Sequence, residues 1–293
     1  MRFGKVGVIG AGVIGRSVAQ ALAQTGHEVV LVDNAQDVID AARRSISDGL
    51  RLAAFGDPAL RKADHEVILS RIHGTIDADA LGDVGFVIEN TTEDWSVKEG
   101  VYRLIDRICR PECVFAVNTS AIRIAKVADV AVRHPHIIGM HFMNPVPLKR
   151  HVEVIVSDVT SQFAIDAAND LLEQLGNRAI TVRDRPGFVS NRVMMLMINE
   201  AIATLEDDTA SAADVDAIFV HCFAHKMGPL ATADLIGLDT IMRTLEVLRD
   251  SYDDTKFEPR PLLRRMVESE RLGRKTGLGF FDYGKGRHAI HGS

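Results

Sequence analysis

The turn Gly10-Ala11-Gly12-Val13-Ile14-Gly15 carries glycines at the spacing that a bound diphosphate requires. Gly10 permits a tight turn, Gly12 lets the backbone approach a pyrophosphate, and Gly15 lets the following helix lie close to a sheet. The anion would rest at the helix N-terminus, around Gly12, Val13 and Ile14, where free N–H groups and the helix dipole favour negative charge. Such a turn alone is weak evidence. This one follows an apolar strand, opens an amphipathic helix and precedes a second strand ending in Asp33, 18 residues after Gly15. A carboxylate there accepts from adenosine ribose hydroxyls and repels a 2′-phosphate, and the next residue is Asn34 rather than an arginine. The pattern predicts NAD rather than NADP; FAD, or a glycine turn that binds no nucleotide, are the competing readings.

A hydride acceptor does not by itself oxidise an alcohol: a base must take the hydroxyl proton, and donors must stabilise the developing carbonyl. In open α/β sheets ligands gather at the carboxyl ends of the strands. That rule brings Asn118-Thr119-Ser120 and His141 to the site as candidates. His221 and His225 have the i,i+4 spacing of helical metal ligands, but no glutamate follows His221 and no third ligand is evident, so no metal is expected. Cys109, Cys113 and Cys222 lack CxxC spacing and read as packing residues; His134 and His136 flank a proline and read as exposed.

These residues need a scaffold of alternating strands and helices. Val/Ile-rich runs predict strands at Val6–Ile9, Glu28–Val32, Val84–Glu89, Cys113–Asn118, Ile137–His141, His151–Val156 and Arg178–Val182. Helical periodicity predicts helices over Ile14–Gln24, Gln36–Phe55, Ser96–Ile108 and Gln162–Leu175. After the polar stretch Arg183-Asp184-Arg185-Pro186-Gly187 only helical patterns follow, at Asn191–Leu205, Ala212–Phe219, Leu235–Leu248 and Pro261–Glu268. The expected fold is α/β: a Rossmann-type doubly wound sheet over residues 1–185, then an all-helical domain over 186–293.

Composition agrees with two globular domains: 293 residues, 46% hydrophobic and 25% charged. The net charge of −6, dispersed along the chain, argues against a nucleic-acid partner. No apolar run approaches the roughly 18–20 residues that span a bilayer. Met1 to Lys5 lead directly into a strand with no room for a signal peptide, so a cytoplasmic protein without membrane attachment is expected.

The segment Gly139-Met140-His141-Phe142-Met143-Asn144-Pro145-Val146-Pro147, with Val152-Glu153-Val154-Ile155 after it, resembles the 3-hydroxyacyl-CoA dehydrogenase family. The likeness extends through Asn118-Thr119-Ser120, Gly187-Phe188-Val189-Ser190-Asn191-Arg192, Gly228-Pro229-Leu230 and Gly273-Arg274-Lys275-Thr276-Gly277-Leu278-Gly279-Phe280-Phe281, nearly the whole chain. By that resemblance His141 is the catalytic base, Glu153 holds its imidazole, and Ser120 and Asn191 bond the substrate oxygens. It also implies that Glu93, Lys98, Asn118 and Asn144 surround the nicotinamide end of the cofactor, and that the helical domain forms a homodimer. Outside that setting Glu93 and Lys98 suit solvated helix charges. Two stretches depart from the family pattern. Ser47-Asp48-Gly49-Leu50-Arg51-Leu52-Ala53-Ala54-Phe55-Gly56 lacks the lysines that contact CoA, leaving Arg51 and Arg44. Lys149-Arg150-His151 stands where the family is more apolar. The expected substrate is therefore an acyl thioester of CoA or of an acyl carrier protein. A free hydroxy or sugar acid, and an NAD-binding protein without enzymatic activity, are the other readings.

Overall fold

The computed structural model describes residues 1–284 apart from Arg2, Asp57 and Ala121. The chain divides between Arg185 and Pro186 into two compact units. The first begins β1 (Lys5–Ile9), α1 (Val13–Gln24), β2 (Glu28–Val32), α2 (Gln36–Gly56), α3 (Pro58–Lys62), α4 (His65–Ser70) and β3 (Ile72–Thr75). It continues with β4 (Phe86–Glu89), α5 (Trp95–Ile108), β5 (Val114–Val117), α6 (Ile124–Ala128), β6 (Ile137–His141), β7 (His151–Val156), α7 (Gln162–Gln174) and β8 (Arg178–Arg183).

The eight strands form one sheet in the order β3-β2-β1-β4-β5-β6-β7-β8. Every pairing is parallel except β6 with β7. All residues of β4, β5 and β6 are buried, as helices on both faces of a parallel sheet require. The order reverses between β1 and β4, which opens a crevice at the carboxyl ends of those two strands. Arg133 ties α5 to the segment before β6: its guanidinium donates to Asp106 Oδ1 at 2.5 Å and to the Asp106 carbonyl at 2.6 Å, and lies 4.7 Å from the Phe115 ring centre.

The second unit holds α8 (Ser190–Glu206), α9 (Ala212–His221), α10 (Pro229–Ile236), α11 (Leu238–Tyr252) and α12 (Pro261–Glu268) around Ile198, Ile202, Leu230, Leu245, Leu248 and Phe257. Among its described residues the only β pairing is two isolated bridges at Leu278. Asp234 anchors the end of the described chain by accepting from Phe280 N–H, Phe281 N–H and the Tyr283 hydroxyl at 2.9, 2.9 and 3.1 Å.

Four expectations need correction. β3 was not foreseen: Ile-His-Gly-Thr has no apolar alternation, and its Gly74 is needed because a Cβ there would lie 2.3 Å from Ile39 Cγ2 on α2. Leu235–Leu248 is not one helix, because Gly237 at φ 105° separates α10 from α11. Cys222 is exposed, whereas Cys109 and Cys113 are buried as expected. His221 ends α9 and His225 lies past it, its N–H returning to the Phe219 carbonyl at 3.0 Å, so the two imidazoles do not share a helical face. Among the described residues no helix is long and apolar enough to cross a membrane.

Candidate active site

At the carboxyl end of β1 the Gly10 N–H donates to the Val32 carbonyl at 2.8 Å, joining the turn to β2. Gly10 has φ 86°, and a Cβ on it would lie 2.7 Å from the Asn90 carbonyl oxygen. A Cβ on Gly15 would fall 1.7 Å from the Gly10 carbonyl oxygen. Both glycines are thus demanded by the protein's own packing. Gly12 differs: nothing lies within 4 Å of a Cβ built on it. It caps α1 without any side-chain hydrogen bond, so open space and uncapped first-turn amides face one another there. Val13 is 53% exposed, while Ile14 packs against the core. Asp33, at the end of β2, accepts from Ala11 N–H at 2.7 Å and Asn34 N–H at 2.8 Å. A cradle that a Cβ would fill, free amides and a preset carboxylate fit a dinucleotide.

Next along the edge, the loop after β4 meets the loop after β5. The Asn118 carboxamide donates to Asn90 Oδ1 at 2.8 Å and accepts from Phe142 N–H at 3.2 Å, linking the residue beside Gly10 to the residue after His141. Glu93 accepts from the Thr119 hydroxyl at 2.7 Å and from Ser120 N–H at 2.5 Å. Asp184 accepts from Ile124 and Ala125 N–H at 3.0 and 2.8 Å, fixing where α6 starts beyond this loop.

Ser120 Oγ lies 3.2 Å from His141 Nε2, and His141 Nδ1 lies 3.0 Å from Glu153 Oε2. His141 and Glu153 are directly opposed residues of the antiparallel β6–β7 pair, and their side chains are 8% and 9% exposed. A carboxylate at Nδ1 requires that nitrogen to carry the proton, which leaves Nε2 as an acceptor facing the serine hydroxyl. The arrangement can take a proton at Nε2, with the Glu153 carboxylate stabilising the imidazolium that results.

Lys98 is not a solvated charge. With 0% side-chain exposure it donates to both oxygens of Glu89, at 2.9 and 2.8 Å, and to the Asn118 carbonyl at 3.3 Å. Glu89, the last residue of β4, also accepts from Thr91 N–H and the Thr91 hydroxyl, both at 2.6 Å, and from the Tyr102 hydroxyl at 3.2 Å. A buried carboxylate is tolerable only when paired and fully bonded. Burial, then the Glu89 charge, hold the Tyr102 hydroxyl pKa well above its ordinary value. Sequence reading did not single out Glu89; a carboxylate closing an apolar strand nine residues before a lysine was the available signal.

Asn144 is exposed, just before the cis Asn144–Pro145 bond, and the Val146 N–H donates to Ser17 Oγ of α1 at 3.0 Å. Asn191 stands in the first turn of α8, in the second unit. Arg51 is exposed on α2, 3.7 Å from Asp48, in a stretch where Leu52 and Phe55 are 71% and 82% exposed. Among the described residues no cluster of three His, Cys, Asp or Glu side chains could hold a metal ion.

Residues 5–185 match the 3-hydroxyacyl-CoA dehydrogenase NAD binding domain, and residues 187–283 match the C-terminal domain of the same family. The chain belongs to the 3-hydroxyacyl-CoA dehydrogenase family. Within it, the chain is 38% identical to 3-hydroxybutyryl-CoA dehydrogenase of Clostridioides difficile over 96% of its length and all of that protein's. It is 40% identical to a probable 3-hydroxybutyryl-CoA dehydrogenase of Deinococcus radiodurans, over 95% and 100% of the two chains. The crystal structure of (S)-3-hydroxybutyryl-CoA dehydrogenase from Ralstonia eutropha superposes with a TM-score of 0.91 at 38% identity, covering 97% of this chain and 100% of that one. This 3-hydroxyacyl-CoA dehydrogenase family member is an oxidoreductase whose cofactor is NAD.

Proposed function

We propose that the enzyme interconverts an L-3-hydroxyacyl-CoA and the 3-oxoacyl-CoA, with His141 as general base. The observation that carries the reading is the Ser120–His141–Glu153 relay, with contacts of 3.2 and 3.0 Å at the carboxyl edge of a dinucleotide-binding sheet. Bound NAD would supply the acceptor for the C3 hydride. His141 Nε2 takes the C3 hydroxyl proton, and Glu153 stabilises the imidazolium that forms. Ser120 donates to the substrate oxygen, and Asn191 orients the thioester. Gly12, Val13 and Ile14 receive the diphosphate, and Asp33 the adenosine ribose. Glu93 and Asn118 position the loop that carries Ser120, and Asn144 lies at the same edge. Lys98 acts through Glu89 and the Asn118 carbonyl.

A second reading keeps the chemistry and changes the carrier to an acyl carrier protein. It is favoured by α2, where Arg51 already neighbours Asp48 and the exposed Leu52 and Phe55 suit a protein surface better than nucleotide phosphates. The second unit is the expected homodimer interface, which light scattering would test.

The decisive assay follows NADH formation with 3-hydroxybutyryl-CoA and with a 3-hydroxyacyl-carrier protein. Turnover with either, falling about 10²–10⁴-fold in His141→Gln, supports the base. Silence with both carriers, or full activity in that variant, refutes it.

A further inference from the structure

A chain of hydrogen bonds crosses the carboxyl ends of β4, β5 and β6. The Phe142 N–H donates to Asn118 Oδ1 at 3.2 Å, Asn118 Nδ2 donates to Asn90 Oδ1 at 2.8 Å, and Asn90 Nδ2 donates to the Ile88 carbonyl at 3.0 Å. Each carboxamide has only one orientation that serves both neighbours. A backbone N–H can only donate, so Asn118 turns its oxygen to Phe142 and its amide group to Asn90. Asn90 must then answer with its oxygen, which leaves its own amide group for a carbonyl.

Both ends of this chain lie beside the chemistry. The Phe142 N–H belongs to the peptide unit that follows His141, and Ser120 follows Asn118 by two residues, so the Asn118 carboxamide is fixed between the partners of the 3.2 Å Ser120–His141 contact. At the other end, Asn90 is the first residue after β4, and its N–H donates to the Ile9 carbonyl at 2.7 Å. A Cβ on Gly10 would lie 2.7 Å from the Asn90 carbonyl oxygen, and one on Gly15 would lie 3.4 Å from the Asn90 Cβ. Asn90 thus rests against the glycine turn, at the point where the strand order reverses.

Resting on the dehydrogenase reading above, we infer that Asn90 is a positioning residue for the reaction: through Asn118 it holds the Ser120–His141 pair at a fixed place relative to the glycine turn that receives the NAD diphosphate. It acts at two removes from the proton, through a carboxamide and a peptide unit. Its loss should therefore slow the chemical step and leave the binding of both substrates nearly intact.

The test is a double-mutant cycle of Asn90→Ala and Asn118→Ala in the oxidation of 3-hydroxybutyryl-CoA, read as kcat, as KM for each substrate and as melting temperature. Both residues are half-buried, so melting should stay within a few degrees of wild type. The expected result is kcat lowered about fivefold to tenfold in each single variant, KM for NAD and for the thioester within about twofold, and a double variant no slower than Asn118→Ala alone, because the two residues act as one link. Effects that multiply in the double variant overturn the proposal, since Asn90 would then act apart from Asn118. Wild-type kcat in Asn90→Ala overturns it too, as does a loss confined to KM for NAD, which would make Asn90 a packing residue of the glycine turn alone. Crystal structures of wild type and Asn90→Ala give a reading that needs no turnover: Ser120 Oγ and His141 Nε2 should separate beyond about 3.5 Å in the variant, and an unchanged contact overturns the proposal. Absence of wild-type turnover on CoA and carrier-protein thioesters alike would strike the dehydrogenase reading, while that distance still decides the role of Asn90.

Discussion

The Ser120 backbone N–H donates to the Glu93 carboxylate at 2.5 Å, while the Ser120 hydroxyl lies 3.2 Å from His141 Nε2. One residue therefore connects the loop after β4 to the proton relay, through its main chain on one side and its side chain on the other. Glu93 fills both oxygens in this task, since Thr119 occupies the second.

Replacing Glu93 by Gln leaves one acceptor oxygen for Ser120 N–H, turns the Thr119 hydroxyl into the acceptor of an amide N–H, and exchanges two charge-assisted bonds for neutral ones of about half the strength. The expected outcome is a fall in kcat of about tenfold in steady-state assays with 3-hydroxybutyryl-CoA, with partial rescue in Glu93→Asp. Unchanged kcat in Glu93→Gln would show that the clamp does not position Ser120.

Gly12 and Gly15 should separate ligand demand from fold demand. Gly15→Ala forces a Cβ to within 1.7 Å of a backbone oxygen, so both thermal stability and NAD binding should fall. Gly12→Ala meets no protein atom within 4 Å, so its melting temperature should stay near wild type while NAD affinity drops about tenfold or more. Isothermal titration with a parallel melting curve reads both, and equal melting losses in the two variants would contradict the distinction.

Asp33 should decide between the two nicotinamide cofactors. Asp33→Ser, combined with Asn34→Arg, removes a carboxylate and supplies a cation for a 2′-phosphate. The NAD-to-NADP ratio of kcat/KM should drop by about 10²-fold or more, because repulsion is lost as attraction is gained. A ratio that holds would mean that Asp33 serves only the Ala11 and Asn34 amides it already accepts from.

Asp106 should contribute to acid sensitivity. Burial raises its pKa, but the hydrogen bond from Arg133 and the Val132 N–H outweigh that effect and hold it below the ordinary carboxylate value of 3.8. A depressed folded pKa means stability that is present above 3.8 and lost as pH falls through the lower folded value. Asp106→Asn should therefore cost about 1.5–3 kcal/mol at pH 7, measured by urea unfolding of the first unit. The difference from wild type should shrink on acidification below the carboxylate range. A pH-independent difference would assign the loss to packing.

Much of the scaffold was legible because strong local signals coincide with the fold. The Lys5–Asp33 unit declares itself through strand, glycine turn, helix and strand, and β7, α7 and β8 each follow a clean periodicity. The misses lie where a long-range contact decides. β3 exists because β2 offers it a parallel partner and Gly74 admits Ile39, neither of which alternation can reveal. Glu89 drew no attention, and Lys98 was placed near the nicotinamide only by resemblance; what the sequence could not reveal is that folding seals the two together with Tyr102 and Thr91. The junction at Gly237 was hidden because apolar spacing continues across it, and only the backbone angle marks the break.

The antiparallel β6–β7 pair delivers His141 and Glu153 from positions 12 residues apart, opposite one another in register. A strand has a period of two, so a shift of one residue would turn Glu153 to the far side of the sheet and bring Val152 or Val154 against the imidazole. Length variation in this hairpin is therefore constrained twice, by the apolar layer under α7 and by the proton relay. Single-residue insertions or deletions within β7 should abolish turnover even where the protein still folds, and the segment before it is held separately, by the Val146 N–H bond to Ser17 Oγ.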